Sequence, residues 1–266
     1  MKQTTYQTDL TDPEFDVIKP CLHVQRESKW PLIRIFNAIL YVCGEGIKWR
    51  ALPTDFGVPW QTVYWYFRKW IADETWIAVN EELVMIRRQR QDLNALPSIL
   101  IIDSQSVKNS ATATNAIGVD GGKKIKGRKR IIITDSGGNL LYVRVVAANR
   151  HDGPAAWRWW RGVLDQQPIL ARVQTIRADS HYAGIFKSHL QAATSIRVDI
   201  SSELVAKASQ LNMPVHKGRW VVERTNGWNT NSRRLARDYE RLPACSEAFC
   251  IISSIARLIH NVPCLN

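Results

Sequence analysis

The sequence lacks three features that would assign it to common classes of protein. None of its five cysteines pairs with another in the C-x-x-C spacing of a zinc site, and an odd number is most simply explained by buried or free thiols in a reducing cytoplasm. The first residues hold no apolar segment typical of a secretory signal, and no uncharged apolar run reaches the length of a membrane span. We therefore expect a cytoplasmic protein with no membrane partner.

Acidic residues are the scarcer charge. The chain has 24 Asp and Glu against 36 Lys and Arg, which gives a net charge of +12 and a pI near 9.7. This balance is typical of proteins that bind a polyanion, because each neutralised phosphate releases counterions. An ordinary basic soluble protein would have the same composition, and charge alone does not separate the two interpretations.

The hydrophobic pattern divides the 266 residues into three regions. Residues 11–92 are predicted to be helical, residues 97–200 alternate strands with helices, and residues 201–266 return to helix. We expect two domains: an all-α domain over residues 1–92 and an α/β domain over residues 97–266.

The helical region contains a candidate DNA-reading element. An apolar-periodic segment at 31–43 is followed by glycines, and a second helix opens at Pro59 with Arg68 and Lys69 away from its apolar face. This order is compatible with a helix-turn-helix. Taken alone, the region is explained slightly better by a plain helical bundle with an aromatic core.

The α/β region is predicted to form a mixed five-stranded sheet flanked by helices. The predicted strands cover residues 98–102, 129–134, 140–147, 173–178 and 196–200. The turn at residues 135–139 is a strong hairpin signal, so the sheet begins with three antiparallel strands. Few α/β folds begin in this way.

Two aspartates follow predicted strands in matching settings. Asp103 follows Ile-Leu-Ile-Ile, and Asp179 follows Thr-Ile-Arg-Ala. Open α/β sheets place their active sites at the carboxyl ends of strands, although a single such Asp often only caps a loop. Two adjacent carboxylates need a cation or a shared proton. Mg²⁺, or Mn²⁺ in its place, is the expected ion because it prefers oxygen ligands and keeps water and phosphate in its shell.

A third carboxylate, Glu223, is predicted on a helix. Arg219 lies four residues before it and Arg234 eleven residues after it, so the helical period places all three on one face. A carboxylate flanked by arginines suits metal binding beside a phosphodiester. A surface ladder of salt bridges is the common alternative.

The chain resembles bacterial insertion-sequence transposases of the DDE type, specifically the insertion-sequence-five group. The matching segments are IIDSQSVK (101–108), GGKKIKGRKR (121–130), ITDSGGNLL (133–141), ANRHDGPAA (148–156), RADSHYAG (177–184), RWVVERTNGW (219–228) and RRLARDYE (233–240). Several motifs in one order are far more specific than any single motif. The residues around 30–70 also fit the N-terminal helical domain of this group.

The resemblance implies an RNase H-like fold in which Asp103, Asp179 and Glu223 bind the metal ions. It also implies recognition of terminal inverted repeats in double-stranded DNA, cleavage of the donor strand and strand transfer to target DNA. A nucleoid-associated homodimer is expected in the active complex, because two DNA ends must be brought together. Related enzymes carry Tyr-x-x-Arg-x-x-x-Glu and a basic residue seven positions later. Here His216 replaces the Tyr and Thr230 the basic residue, so Arg233 or Arg234 is expected to contact phosphate.

A basic run rich in glycine is interpreted as a clamp for the DNA backbone beside the site. Its cations are Lys123, Lys124, Lys126, Arg128, Lys129 and Arg130. A solvated basic loop is the simpler alternative. Asp152 is expected to cap the helix that begins at Pro154, although the pair His151-Asp152 could also orient water or DNA near the metal ions.

Two other functions are compatible with parts of this pattern. A non-catalytic protein that binds the repeats, such as a decayed or co-opted copy, would explain the charge and the helical region but not the three carboxylates. Another RNase H-like nuclease would share the metal site but would transfer no strand.

Overall fold

The structure, a computed structural model, describes residues 6–22, 28–210 and 220–261. Within these ranges the strands are β1 (Ile99–Lys108), β2 (Gly118–Asp120), β3 (Ile125–Asp135), β4 (Leu140–Ala147), β5 (Thr175–Ala178) and β6 (Arg197–Ile200). The helices are α1 (Asp12–Ile18), α2 (Leu32–Glu45), α3 (Trp60–Ala72), α4 (Thr75–Gln89), α5 (Asp152–Gly162), α6 (Ile185–Ala193), α7 (Ser201–Gln210), α8 (Trp220–Asn231) and α9 (Pro243–Ile259).

The strands form a mixed sheet. β1 pairs antiparallel with β3 and parallel with β5, and β6 extends the parallel side. On the side of β3 that faces away from β1, β2 pairs with the first residues of β3 and β4 pairs with the rest. The mixed sheet flanked by helices confirms the predicted fold class, and in the described residues it has six strands where five were predicted. The additional strand, β2, is three residues long and too polar to show a hydrophobic pattern.

The two central strands are longer than their apolar runs. β1 continues past residue 102 to Lys108, and β3 begins at Ile125, because the polar halves of these strands pair with each other. Asp103 therefore lies inside β1, which corrects its predicted place at the end of a strand. On the other side of β1, however, β5 stops at Ala178. Asp103 thus lies where the parallel ladder ends and the antiparallel ladder continues.

The N-terminal helices share one hydrophobic core with the C-terminal helix α9 and the sheet. The rings of Phe67 on α3 and Phe249 on α9 stack at 4.9 Å. The side-chain amide of Asn80 on α4 donates to the carbonyl of Leu140 on β4 at 2.8 Å. The predicted boundary between residues 92 and 97 consequently separates two regions of sequence that pack as one body.

The connection between α2 and α3 is long. It covers residues 46–59 and includes two short 3₁₀ turns, Trp49–Ala51 and Thr54–Phe56. A helix-turn-helix uses a turn of about three or four residues. The helical character predicted for this region is confirmed, but the helix-turn-helix interpretation does not describe this pair of helices.

A buried ion pair joins β3 to the segment before α9. Arg128 donates to the Asp238 carboxylate at 3.0 Å, and both side chains are fully buried. The same guanidinium donates to the carbonyls of Asn115, Glu240 and Arg241. The hydroxyl of Ser246 on α9 donates to the other oxygen of Asp238 at 2.8 Å. This network connects two sequence motifs that are far apart in the chain.

Replacing Arg128 with Met should therefore destabilise the protein strongly. The substitution leaves the Asp238 carboxylate buried without its cation, which costs about 3–5 kcal/mol. Urea denaturation monitored by circular dichroism measures the loss. The control is Lys187→Met, which breaks the more exposed pair between Lys187 and Glu203 and should change stability by at most about 1 kcal/mol. Equal losses in both variants would contradict this account of the pair.

Candidate active site

Asp103 and Asp179 are brought together by the parallel pairing of β1 with β5. In the ladder Ile101 lies opposite Arg177, and continuing that register by two residues places Asp103 beside Asp179. Neighbouring strands are about 4.8 Å apart, and residues two apart along a strand share a face of the sheet. The register therefore places both carboxylates at the same edge of the parallel ladder and on the same face.

The Asp179 carboxylate is oriented by its own turn. One oxygen accepts the backbone N–H of His181 at 2.9 Å, and the other lies 3.1 Å from Nδ1 of the same residue. The imidazole of His181 is largely exposed, with 71% of its side-chain surface accessible. The ring can thus exchange between this carboxylate and an incoming ligand.

The phenol of Tyr182, three residues after Asp179 in the chain, is fully buried. Burial raises its pKa well above the usual value, and the negative charges of Asp152, Asp103 and Asp179 raise it further. The hydroxyl therefore keeps its proton at neutral pH. It can donate a hydrogen bond to a carboxylate or water in this region.

Asp152, the remaining carboxylate close to Tyr182, is neutralised by a lysine. The Asp152 carboxylate accepts a hydrogen bond from the Lys129 ammonium at 2.6 Å, and the same ammonium donates to the carbonyl of Arg150 at 2.8 Å. The N-cap of α5 is His151, and no side-chain cap is formed there. This corrects the expectation that Asp152 caps the helix: it lies at the first helical position and holds a buried lysine.

Helix α8 carries the third candidate carboxylate and a contact to the first. The side-chain amide of Asn226 donates to the Asp103 carboxylate at 3.5 Å. Glu223 is exposed and lies three residues earlier on α8, which places it on the same side of the helix. Arg234 does not share this face, because α8 ends at Asn231 and Arg234 belongs to a separate 3₁₀ turn. Arg219 and His216 lie outside the described residues.

The turn between β3 and β4 holds α8 in place. Arg224 donates to the carbonyl of Gly137 and Thr225 to that of Gly138, both at 2.8 Å. Gly138 has a φ of 81°, and a Cβ there would lie 2.9 Å from a methyl of Val221. Only glycine allows this left-handed turn to contact the helix so closely.

The described residues contain no group of three His, Cys, Asp or Glu side chains close enough to hold a metal ion. The two aspartates still suit Mg²⁺, which is commonly bound by one or two carboxylates with waters and substrate phosphates completing its shell. Asp103 and Asp179 could therefore hold such an ion while Glu223 approaches from α8.

Two protein families match this chain. Residues 94–259, more than half of the chain, match the family described as the transposase DDE domain. This chain belongs to the DDE transposase family. Residues 10–80 match a further family, the transposases of the IS4/5 type. The sheet of this transposase accordingly has the RNase H-like fold expected from the sequence.

Solved transposase structures are also similar at a low level. "Crystal structure of the Mos1 Strand Transfer Complex" matches with 11% identity over 90% of this chain and 78% of that chain, at a TM-score of 0.27. "Mos1 transposase paired-end complex with left transposon end" matches with 13% identity over 91% and 78%, at a TM-score of 0.24. No match was found among curated proteins.

The basic residues predicted to contact DNA fall into two groups in the transposase. Lys123, Lys124 and Lys126 are exposed around the β2–β3 turn, and Arg233 is exposed but paired with Glu45 at 2.9 Å. On α3, the partly exposed Lys69 pairs with Asp73 at 2.7 Å.

The second group is internal. Arg128, Lys129 and Arg130 are buried, the last donating to the carbonyl of Leu235 at 3.0 Å. Arg234 is 10% exposed and pairs with Glu240 at 2.7 Å. These placements correct the prediction that the four residues form a DNA-contacting surface, because their side chains lie largely inside the protein.

Sequence reasoning missed Asn226, Tyr182 and the Lys129–Asp152 pair. Spacing could have indicated the first two, since Asn226 is one helical turn after Glu223 and Tyr182 is three residues after Asp179. The ion pair gives no such signal, because its partners meet only when β3 and the start of α5 pack together.

Replacing Gly138 with Ala should loosen α8. A side chain is strained in this left-handed conformation by about 1–3 kcal/mol, and its Cβ would displace Val221 and Thr225. Hydrogen exchange of the α8 amides and urea denaturation together measure the effect. In the control, Gly162→Ala on α5, a Cβ meets nothing within 4 Å, so stability should stay the same or rise slightly. Unchanged α8 exchange in Gly138→Ala would refute the role assigned to the turn.

Proposed function

We propose that this transposase binds the terminal inverted repeats of an insertion sequence, cleaves the DNA ends and joins them to target DNA. The observation that supports this most directly is the parallel register of β1 with β5, which, continued by two residues, brings Asp103 next to Asp179, with Asn226 of α8 on the Asp103 carboxylate. Carboxylates gathered in this way are the ligands that metal-assisted phosphoryl transfer requires.

The reaction consists of two displacements at phosphorus. Water attacks the phosphodiester at the element end, the bond from phosphorus to the 3′-oxygen breaks, and the element strand leaves with a 3′-OH. That hydroxyl then attacks a target phosphodiester, forms a new phosphorus–oxygen bond and releases a target 3′-OH. When bound, Mg²⁺ or Mn²⁺ would lower the pKa of the attacking hydroxyl and stabilise the leaving oxygen.

The chain's own residues would orient and neutralise the reacting groups. Asp103, Asp179 and Glu223 would hold the ion, and Asn226 of α8 fixes the Asp103 carboxylate. Tyr182 remains protonated and donates to a carboxylate or water. The pairing of Lys129 with Asp152 keeps additional negative charge away from the incoming phosphate.

DNA is the proposed partner, and a homodimer is proposed because two ends must be joined together. The net charge of +12 favours the phosphate backbone. We assign the backbone contacts to the exposed Lys123, Lys124 and Lys126, to Arg233, and to Arg219, which precedes Glu223 by four residues in the sequence. No helix among the described residues could span a bilayer, and we propose that the protein associates with the nucleoid.

Substituting the carboxylates tests the proposal. Asp103→Asn, Asp179→Asn and Glu223→Gln should each lower strand transfer at least about 100-fold, since several kcal/mol of charge stabilisation are lost. The assay combines Mg²⁺, a labelled duplex that carries the terminal repeat and a target plasmid. The control is Asp165→Asn, an exposed carboxylate on a distant turn, which should retain full activity.

The same assay distinguishes the catalytic transposase from a second candidate function, that of a non-catalytic repeat-binding protein. That candidate is favoured by one observation: the described residues contain no assembled group of three metal ligands. Repeat binding without cleavage by the unmutated chain, across Mg²⁺ and Mn²⁺ concentrations, would establish it and overturn the catalytic proposal.

The contact between Asn226 and Asp103 should affect metal affinity. Removing a hydrogen-bond partner of a metal ligand typically weakens binding about 10–100-fold, so Asn226→Ala should raise the Mg²⁺ concentration for half-maximal strand transfer by about tenfold or more. Titration calorimetry with Mn²⁺ checks the same shift without DNA. Asn231→Ala, an exposed position on the same helix, is the control. An identical metal dependence in the two variants would remove Asn226 from the site.

A further inference from the structure

A groove of about 630 Å³ lies between α3, the segment around Trp49 and the loop before α9. Its wall holds Arg234 and four further cations, Lys48, Arg50, Arg68 and Arg241, and its partly exposed aromatic side chains include Trp60 and Tyr64. The volume is within the range of about 300–1,000 Å³ that encloses a small organic ligand. It is too small to take a duplex but suits one or two nucleotides.

The four cations are not neutralised by the protein. In the described part of the chain, none of them forms an ion pair with a carboxylate. The acidic residue in the wall, Glu240, is already paired with Arg234 at 2.7 Å. An anion is therefore the ligand that this groove favours.

Arg68 points to the same conclusion. One of its guanidinium nitrogens donates to the sulfur of Cys245 at 3.7 Å. Burial raises the pKa of that thiol to about 11, so it carries no negative charge at neutral pH. A half-buried guanidinium whose neighbour is a neutral thiol retains donors for a phosphate.

The aromatic side chains of the groove favour an unpaired nucleotide over a duplex. Trp60 is partly exposed and has the guanidinium of Arg50 5.5 Å from its ring centre. A duplex keeps its bases stacked in the helix and would leave this ring unused. An unpaired base can stack on it while its phosphates reach the surrounding cations.

The second half of β1 leads from Asp103 in the candidate active site to the loop that borders the groove. Asn115, in the loop after β1, forms part of its wall, and the bridge between Asn109 and Asp238 joins that loop to the opposite wall. Six residues of strand separate Asp103 from Asn109, which is about 20 Å. A strand displaced at the carboxylates could reach the groove without crossing the protein.

We propose that this groove binds an unpaired, single-stranded segment of the DNA substrate, with a base stacked on Trp60 and phosphates on Arg50, Arg68 and Arg241. The inference rests on the proposed function for the identity of the nucleic acid as DNA. It adds a second DNA-binding site, separate from the carboxylates and from the basic β2–β3 turn.

Fluorescence anisotropy with a labelled dT12 oligonucleotide and a duplex of mixed sequence tests the proposal. Trp60→Ala should weaken dT12 binding about tenfold and leave duplex binding unchanged, because stacking contributes on that scale for each base. Trp60→Phe should recover part of the loss. The matched control is Trp65→Ala, since Trp65 is on the same helix but 57% exposed and outside the groove.

The salt dependence supplies a second measurement. Arg50→Gln should reduce the slope of log K against log salt for dT12 by about 0.7, the value for one phosphate contact on a single strand. Arg197→Gln on the edge strand β6 should leave the slope unchanged. Equal losses in Trp60→Ala and Trp65→Ala, or equal losses for dT12 and duplex, would overturn the proposal. Competition by poly-glutamate as strong as that by dT12 would assign the groove to an acidic peptide and also overturn it.

The two proposals fail independently. Asp103→Asn should lose strand transfer but bind dT12 with unchanged affinity. If the unmutated chain binds dT12 at this groove yet transfers no strand, the proposed function fails and the groove assignment stands. If strand transfer occurs and Trp60→Ala binds dT12 as tightly as the unmutated chain, the groove assignment fails alone.

Discussion

The position of α8 depends on one buried carboxylate, that of Asp135 at the end of β3. One of its oxygens accepts the backbone N–H groups of Gly137 and Asn139, each at 2.9 Å. The other accepts the side-chain amide of Asn139 at 3.0 Å and the guanidinium of Arg88 on α4 at 2.7 Å. A fully buried carboxylate is stable only when its lone pairs are occupied in this way. The turn that results is rigid, is tied to the N-terminal helices and supports α8.

The geometry of the candidate site depends on this turn and its contacts with α8. The turn holds Thr225, the next residue contacts Asp103, and Glu223 is carried on the same helix. Asp179 arrives independently, through the parallel register of β5. The Asp179 carboxylate is therefore placed by the sheet and by its own turn, while the arrangement around Asp103 also depends on contacts that begin at α4. This dependence gives a structural role to the N-terminal helices in addition to any contact with DNA.

Hydrophobic patterning predicted five of the six described strands and their order, because each of the five has an apolar run that packs in the core. It did not predict the polar half of β1 beyond Asp103, whose stability comes from pairing with β3 rather than from burial of apolar side chains. The two aspartates of the site could be predicted because local sequence reveals a strand followed by an acid. The role of Arg128 could not, since its partner Asp238 is 110 residues away and a basic run looks the same whether it faces solvent or an internal carboxylate.

The sharing of one core between the first and last helices has a consequence for the kinetics of folding. Phe249 on α9 contacts Phe67 and Trp49, and its carbonyl accepts the thiol of Cys43, which is 206 residues earlier. Among the described elements α9 is the last to leave the ribosome, so the part of the aromatic surface that packs against Phe249 has no cover until then. Closing such distant contacts is slow and exposes apolar surface on the way. A nascent chain therefore acquires its finished core only after translation of residue 259.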